Sequence, residues 1–418
     1  MVLFKRSLIF LFVMILLYAC EQNLQQPVYE YTLNNSAQSG SRFPNIYKDD
    51  SGNITMSWML NIEEEMFAIQ YASYNDENDR WSAPATVDIG SSYFVNWADF
   101  PSVVTMNEEI VAAHWLKKIE GGSYAYDVEF AFPGDQPRRW TEPLSPHSDG
   151  TATEHGFVSL EPLSEEKVLA IWLDGRNTEG RDHGDYDNMD MAMTLRSAEV
   201  SKSGEVTRKN VIDSRVCDCC QTDLAKTEGG YVAVYRDREE GEIRDISIAR
   251  YSNESGEWSE PAVVHRDGWK INACPVNGPR VAAIGNRVAV AWYTMAQNEP
   301  RVMLAVSDDG GDNFTDPVQI AGEYSIGRVD VAMADDGMIY VSWMEQGDER
   351  GYIMMRALDE FEGLEDPKLV GFTSASRSSG FPRMALTDQG TLIAWTQTEP
   401  IYKVRTALVP FQEETESE

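Results

Sequence analysis

Two short segments hold four of the five cysteines and could perform metal or redox chemistry. Cys217-Asp218-Cys219-Cys220 contains three of them, and Cys274 is the fourth. Thiolates bind ions such as copper and zinc. Without Cys20 near the N-terminus, however, four cysteines remain, and an even number in an exported chain favours disulfides. Bridges within the first segment would be strained, and Cys274 can pair with only one partner. Three alternatives therefore stay open: structural disulfides, a copper or zinc site on Cys217, Cys219, Cys220 and Cys274, and redox chemistry.

Arginines and acidic residues alternate directly after two strand-like runs, which end near Trp172 and Tyr235. Guanidinium groups bind a carboxylate through two hydrogen bonds, so these arginines are candidate ligands for an acidic sugar. The candidate substrate-binding residues are Arg176, Arg236, Arg238 and Arg244. In the alternative interpretation, Arg176, Arg238 and Arg244 bridge neighbouring blades through Asp174, Asp237, Glu242 and Asp245.

The overall charge excludes one large class of partners. The 418 residues include 35 basic and 68 acidic side chains, which gives a formal net charge of −33. Such a charge repels phosphate backbones, so we expect no nucleic-acid partner. Because 42% of the residues are hydrophobic and 11% are aromatic, the chain can bury a large core.

The N-terminus has the layout of an export signal. Lys5 and Arg6 precede an apolar run over residues 8–18, which is short for a membrane span, and small Ala19 follows. Residues 17–20 (LYAC) resemble a bacterial lipobox, in which the cysteine, here Cys20, is lipid-modified. We therefore expect a signal peptide over 1–19, a tether over 20–27, and a lipid-anchored protein of the bacterial cell envelope. The expected membrane is the outer one, on its periplasmic or surface side, and an N-terminal transmembrane anchor is the alternative.

One aromatic residue closes a short strand-like run at intervals of 51 to 63 residues along the chain. These positions are Trp58, Trp115, Trp172, Tyr235, Trp292, Trp343 and Trp395. A second pattern, an aromatic residue three positions before a proline, recurs in the same phase at Trp81, Trp140, Trp258 and Phe314. Two phased signals of this period are typical of a repeat architecture.

Each repeat has room for four short strands separated by turn residues, which is the content of a propeller blade. The sequence therefore predicts an all-β fold, a single β-propeller over residues 28–411 with seven blades favoured. The last repeat has room for only three strands, so we expect the N-terminal run Val28–Leu33 to close the ring. The acidic tail over 412–418 is expected to be disordered.

Two motifs resemble those of sialidase-like propellers. Residues 307–314 (SDDGGDNF) match the Asp-box of that family, and Arg42-Phe43-Pro44 resembles the Arg-Ile-Pro whose arginine binds the sialate carboxylate. The resemblance implies the propeller fold, with Asp-boxes as structural turns. Sialidases have six blades, which is the alternative count, and seven-bladed relatives include carbohydrate lyases and binding proteins. The cysteine motifs resemble those of a bacterial lipoprotein group classed as sialidase-like by fold.

Antiparallel alternation within a blade gathers the loops that lead into the innermost strands and the ends of the second strands on one face. The first set contains Trp97, Asp99, Glu154, His155, residues 217–220 and residues 274–277. The second set contains Asp174, Arg176, His183, Arg236, Asp237, Arg238, Arg244 and Tyr293. We therefore expect one axial site that contains all of these residues.

Glycoside hydrolysis needs a proton donor and a group that stabilises the transition state, and sialidases use a tyrosine as nucleophile. The resemblance makes Tyr293, Asp174, Glu154 and His155 the candidate catalytic residues. His114 is a further candidate, because a lyase uses a histidine to abstract a proton beside a uronate carboxylate. For Tyr293 and the histidines, packing within the core is the alternative.

The sequence thus predicts an exported propeller that acts on or binds an acidic glycan or glycoconjugate at an arginine-lined axial site. If it is an enzyme, the resemblance implies a glycoside hydrolase. A metal-binding or redox propeller that uses the cysteines is the first alternative. A polysaccharide lyase or a non-catalytic binding scaffold is the second.

Overall fold

The computed structural model describes residues 31–182, 188–359, 361 and 363–411, which form a seven-bladed β-propeller. The predicted all-β fold and the favoured blade count are therefore confirmed. The expected signal peptide, Cys20, the tether, residues 28–30, His183 and the acidic tail lie outside the described residues. No helix within the described part is long and apolar enough to cross a membrane.

The first half of the ring starts at the short strand β1 (Thr32–Leu33) and continues through three blades. Blade 1 consists of β2 (Ser41–Lys48), β3 (Ile54–Glu63), β4 (Met66–Asn75), β5 (Arg80–Trp81) and β6 (Ala85–Gly90). Blade 2 consists of β7 (Ser102–Met106), β8 (Glu109–Lys118) and β9 (Tyr126–Ala131), and Phe130 forms an isolated bridge with Leu144. Blade 3 consists of β10 (His155–Ser164), β11 (Lys167–Asp174), β12 (Met193–Ser201) and β13 (Val206–Val216).

Four further blades complete the ring. Blade 4 consists of β14 (Asp223–Thr227), β15 (Gly230–Arg236), β16 (Ile246–Ser252) and β17 (Ala262–His265), and blade 5 of β18 (Arg280–Ile284), β19 (Arg287–Thr294), β20 (Arg301–Ser307) and β21 (Val318–Ala321). Blade 6 consists of β22 (Ser325–Met333), β23 (Ile339–Gln346), β24 (Gly351–Asp359), β25 (Gly363–Leu364) and β26 (Lys368–Thr373). Blade 7 consists of β27 (Arg383–Leu386), β28 (Gly390–Gln397), β29 (Lys403–Pro410) and β1. The described 3-10 helices are Arg176–Thr178, Met189–Met191, Ala296–Asn298 and Arg377–Ser379.

The N-terminal strand closes the ring, as the sequence predicts. Strand β1 pairs antiparallel with β29, with Thr32 opposite Ala407 and Leu33 opposite Thr406. The Thr406 hydroxyl donates to the Leu33 carbonyl at 2.8 Å, which adds a side-chain bond to the ladder. Blade 7 thereby gains its fourth strand, and its edge is covered.

The repeated aromatic residues all lie in the second strand of their blades and are buried between neighbouring sheets. Several of the indole N–H groups also donate to a carboxylate, as Trp172 does to Asp174 at 3.0 Å and Trp343 to Glu345 at 2.8 Å. In these blades a large ring fills the space between sheets while its one polar atom is satisfied, whereas the indole N–H of Trp58 is buried without a hydrogen-bond partner among the described residues. The feature that all seven aromatic residues share is therefore the filling of the space between blades.

The turn that matches the Asp-box joins β20 to β21, on the face opposite the loops that lead into the innermost strands. The Ser307 hydroxyl donates to Asp309 at 2.7 Å, and the backbone amides of Asp312 and Asn313 donate to the same carboxylate. Hydrogen bonds from Asn313 and Ser307 lower the pKa of Asp309 to about 2. The contacts are internal to the turn and therefore support a structural role.

The innermost strands surround a central cavity of about 850 Å³ that carries buried charges. Arg280 donates to Asp330 at 2.8 Å and lies 3.0 Å from Asp223. Glu161 accepts a hydrogen bond from the Tyr47 hydroxyl at 3.0 Å. Burial raises the pKa of Asp223 to about 6 and that of Glu161 to about 8. Ionised carboxylates in this cavity therefore cost folding free energy.

We predict that Glu161→Gln removes a pH-dependent loss of stability. The folded protein holds the Glu161 proton up to a pKa of about 8, above the ordinary value of 4.5. Between about pH 4.5 and pH 8 the folded state therefore binds more protons than the unfolded state, and the free energy of unfolding falls as the pH rises through this range. The variant should be more stable than the parent by about 2–4 kcal/mol at pH 9, and nearly equal to it at pH 5.

Urea unfolding at the two pH values measures this difference. Glu254→Gln, at an exposed position, is the matched control and should leave the unfolding free energy unchanged at both. An equal effect of Glu161→Gln at pH 5 and pH 9 would contradict the prediction.

Candidate functional site on the upper face

Apart from His183, which lies outside the described residues, the two sets of residues lie on one face of the ring, which we call the upper face. The Gly175 amide donates to the Glu154 carbonyl at 2.8 Å, and the Cys217 amide donates to the Arg236 carbonyl at 3.0 Å. Each contact joins a loop that leads into an innermost strand with the end of a second strand. The sequence repeat therefore predicts correctly the face of the ring on which these residues lie.

The loops that lead into the innermost strands, which we call the leading loops, also contact each other across the propeller axis. Gln221 of blade 4 donates to the Ala98 carbonyl of blade 2 at 2.9 Å and accepts from the Gly278 amide of blade 5 at 3.0 Å. Trp97 and Phe381 stack with their ring centroids 5.6 Å apart. These contacts bridge the upper end of the central cavity and hold the loops in fixed positions.

A group of two histidines and three aspartates, which we call the His-Asp cluster, lies between blades 2 and 3. His155 begins β10 opposite Asp174 at the end of β11. Its ring stacks on that of His147 with centroids 3.9 Å apart. Asp149 lies 3.2 Å from His147 Nδ1 and 3.3 Å from His155 Nε2, and Asp127 lies 3.5 Å from His155 Nδ1. His155 is fully buried, so its ring is held by these acids rather than by solvent.

The carboxylates decide which of the two histidines carries a charge. Burial lowers the pKa of His155, but the hydrogen bond to Asp149 and the charges of Asp174 and Asp127 outweigh it, and the net shift is upward. Burial and the charge of His155 lower the pKa of His147 to about 4. The cluster therefore favours one imidazolium, at His155.

The four arginines predicted to bind a substrate all donate to groups within the protein. Arg176 makes two hydrogen bonds of 2.6 Å to Asp174. Arg238 and Arg244 each contact Glu242 at 2.7 Å. Arg236 is buried and donates to the carbonyls of Asn277, Tyr293 and Arg244. Arg176, Arg238 and Arg244 therefore pair with Asp174 and Glu242, two of the acids in the alternative interpretation, but each of these pairs lies within one blade, whereas Arg236 joins blade 4 to blade 5. The binding role stays a prediction.

The candidate catalytic residues lie in two separate places. Glu154, His155 and Asp174 lie together in and beside blade 3, whereas Tyr293 lies in β19 of blade 5, with its ring 5.8 Å from that of Trp269. Burial raises the pKa of Tyr293. Their catalytic roles stay predictions, but only three of the four residues are neighbours.

Glu154 belongs to a carboxyl pair with Asp99. The Tyr126 hydroxyl donates to Glu154 at 3.4 Å, and the Phe157 amide donates to Asp99 at 2.6 Å. Burial raises the pKa of Asp99 to about 7, and the charge of Glu154 adds to the shift. Asp99 therefore holds a proton close to neutral pH, beneath the partly exposed Glu154.

His114 lies away from the upper-face clusters and lines the central cavity. Its Nδ1 is 2.7 Å from the Ser102 hydroxyl on the neighbouring strand of the same blade. Burial lowers its pKa to about 3. The ring is therefore neutral at physiological pH, as in the packing alternative.

The cysteines form a disulfide and a pair of thiols. Cys219 and Cys274 are bonded, which is the disulfide alternative, and Cys217 and Cys220 are free and buried. The sulfurs of the two thiols lie 2.9 Å apart, and Arg244 donates to Cys217 at 3.4 Å. Burial raises the pKa of Cys217, but the hydrogen bond from Cys220 and the charge of Arg244 lower it to about 6. A four-thiolate metal site would require the disulfide to be reduced.

A third group, which we call the aromatic mouth, contains arginines that rest on aromatic rings. Arg328 lies 5.2 Å and Arg377 5.8 Å from the ring centre of Trp97, and Arg42 lies 4.1 Å from that of Tyr402. Within the described part of the chain, no ion pair joins Arg42, Arg328 or Arg377 to a carboxylate. The sequence analysis did not single out Arg328, which lies in the innermost strand β22, or Arg377, which lies in the loop that leads into β27. It singled out Arg42 through the sialidase resemblance alone.

The fold is similar to that of several solved carbohydrate-active proteins. An ulvan lyase from a new family of polysaccharide lyases, solved with -[GlcA(1-4)Rha3S]-, has a TM-score of 0.54 at 12% identity, over 91% of this chain and 94% of that chain. A protein of unknown function from Dyadobacter fermentans has a TM-score of 0.48 at 12% identity, over 92% and 98%. Trypanosoma rangeli sialidase has a TM-score of 0.44 at 9% identity, over 91% and 58%. No protein-family model and no curated protein matches the sequence. At these identities the likeness shows the fold alone.

We predict that Arg176→Met destabilises the protein by about 2–4 kcal/mol. The substitution leaves Asp174 buried without its main cation, and uncompensated buried charge is costly. Thermal and chemical unfolding measure the loss. Arg266→Met is the matched control, because its pair with Glu239 is exposed and should contribute less than about 1 kcal/mol. Equal effects of the two substitutions would contradict a structural role for Arg176.

Proposed function

We propose that this propeller binds an acidic glycan at the aromatic mouth. The observation that carries the proposal is that Arg42 and Arg377 lie over aromatic rings without a carboxylate partner in the described structure. The predicted arginines of blades 3 and 4 differ from them in this respect, because Arg176, Arg238 and Arg244 are neutralised internally. The mouth therefore presents positive charge that is available to an anion.

The charge of the mouth contrasts with that of the whole chain. A protein with a net charge of −33 repels most anions at long range. A local group of arginines therefore favours anions that also form direct hydrogen bonds with the guanidinium groups. Burial lowers the pKa of Arg328 to about 10, and the charge of Arg377 adds to the shift. The proximity of the two guanidinium groups is unfavourable in the free protein, and a bound carboxylate would relieve it.

Trp97 supplies the apolar part of a sugar site. Its ring is partly exposed, and stacking on Phe381 fixes its orientation. The electron-rich face of an indole attracts polarised C–H groups and cations. A sugar ring with one carboxylate can therefore stack on Trp97 and form a charge-assisted pair with an arginine, whereas a neutral sugar lacks the charge and a free anion lacks the ring.

The substrate class that we propose is a uronate-containing polysaccharide. The ulvan lyase with the similar fold was solved with a chain that contains GlcA, and a uronate carries the carboxylate that the mouth would bind. We assign the contact with the reacting sugar to Glu154, which is partly exposed near Asp99, a carboxyl group whose pKa burial raises to about 7. Glycoside hydrolysis and a lyase reaction both need such a proton-carrying group.

Lipid anchoring through Cys20 is a separate proposal and rests on the N-terminal sequence pattern. It would hold the propeller at a membrane surface, where cell-envelope or extracellular polysaccharides are available.

We predict that Arg377→Ala and Trp97→Ala each weaken binding of an oligoglucuronate tenfold or more, which corresponds to about 1.4 kcal/mol. Titration calorimetry on the folded variants measures the affinities, and a carboxyl-reduced oligosaccharide of the same length tests the role of the acid. The matched control is Arg80→Ala, an exposed arginine on the opposite face, which should bind as the parent does. Equal affinity for the acidic and the reduced ligand, or an unchanged affinity in Arg377→Ala, would overturn the proposal.

A further inference from the structure

We propose that the cysteine site is a thiol–disulfide relay, in which the buried Cys217/Cys220 pair passes electrons through the Cys219–Cys274 disulfide to an external disulfide. This activity is independent of glycan binding at the aromatic mouth. The external substrate belongs to the class of disulfides, in a small molecule or in another protein.

The geometry of the four sulfurs carries the proposal. Cys217 and Cys220 have the C-x-x-C spacing of redox-active dithiols, and their sulfurs lie 2.9 Å apart. Cys217 Sγ is also 4.0 Å from Cys219 Sγ, one of the two disulfide sulfurs. The same thiol can therefore approach either a disulfide sulfur or a resolving thiol with small movements.

The surroundings favour Cys217 as the nucleophile. Its sulfur accepts hydrogen bonds from the guanidinium of Arg244 at 3.4 Å, from the Cys220 thiol and from the Cys219 backbone amide. Three donors, one of which is the Arg244 cation, stabilise a thiolate, which is the reactive form of a cysteine. Glu242 contacts Arg244 at 2.7 Å and fixes the position of the cation.

Exposure separates the two halves of the relay. Cys217 and Cys220 are buried, so they are protected from external thiols and oxidants. Cys219 and Cys274 are partly exposed on the upper face and can exchange with an external disulfide. Electrons from the buried pair therefore leave through the surface disulfide.

The exchange conserves atoms and electrons in each step. The Cys217 thiolate attacks Cys219 Sγ, the bond between Cys219 and Cys274 breaks, and Cys274 leaves as a thiolate. Cys220 then attacks Cys217 Sγ, its proton passes to a departing thiolate, and Cys219 is released. The buried pair is now oxidised and the surface pair reduced. Finally the surface pair reduces an external disulfide to two thiols and becomes a disulfide again.

Peptide mapping distinguishes the isomers, because trypsin releases residues 216–226 with three cysteines and residues 271–280 with the fourth. The full chain is incubated without oxidant, quenched in acid, unfolded and treated with N-ethylmaleimide. The form in the structure gives the two peptides linked, with two blocked thiols. The relay predicts a second population in which the peptides separate, each carries one blocked thiol, and 216–226 contains an internal disulfide.

Two variants and a substrate assay complete the test. Cys217→Ser should give linked peptides only, and should release thiols from oxidised glutathione at least tenfold more slowly than the parent. Cys220→Ser lacks the resolving thiol, so the exchange should stop at a disulfide between Cys217 and Cys219 with Cys274 blocked, while near-ultraviolet circular dichroism confirms folding. A scrambled-disulfide protein replaces glutathione in a second arm, which identifies the source of the external disulfide.

Several results would overturn the relay. They are linked peptides only in the parent, equal thiol release by the parent and Cys217→Ser, and a stoichiometric copper or zinc ion bound through the thiols of the isolated chain.

Discussion

The alternation of strand direction within each blade is the constraint on which the upper face depends. Because neighbouring strands run in opposite directions, every leading loop and every second-strand end lie at the same end of the ring. The hydrogen bond from the Gly175 amide to the Glu154 carbonyl and that from the Cys217 amide to the Arg236 carbonyl are consequences of this rule. Residues that are far apart in sequence therefore become neighbours, and the pairing of β1 with β29 keeps the ring closed around them.

The upper face divides its positive charges between two uses. In blades 3 and 4, arginines pair with Asp174 and Glu242, so the charges hold loops together. At the aromatic mouth, Arg42 and Arg377 rest on rings instead, and their charges are available to a ligand. The type of residue is the same in both places, and the presence or absence of a carboxylate determines the role.

Much of the architecture follows from patterns that the sequence contains. The aromatic repeat predicts the second strand of every blade, and the alternation rule then predicts the face on which Trp97, Asp99 and Glu154 lie.

The partners of individual side chains do not follow from these patterns. His147 and Asp149 lie in the loop that leads into β10, but the aromatic repeat does not determine which side chains of that loop pack against His155. The cation–π contact between Arg328 and Trp97 joins blade 6 to blade 2 across the axis, a distance that no local spacing encodes. The choice of Cys219 as the partner of Cys274 likewise depends on three-dimensional positions.

We propose that the arginines without a carboxylate partner, rather than the neutralised ones, form the binding site. A crystal structure of the chain with bound oligoglucuronate tests this assignment. We expect a sugar ring against Trp97, with its carboxylate within hydrogen-bonding distance of Arg42 or Arg377. A carboxylate bound at Arg176 or Arg238, or a ligand in the central cavity, would contradict it.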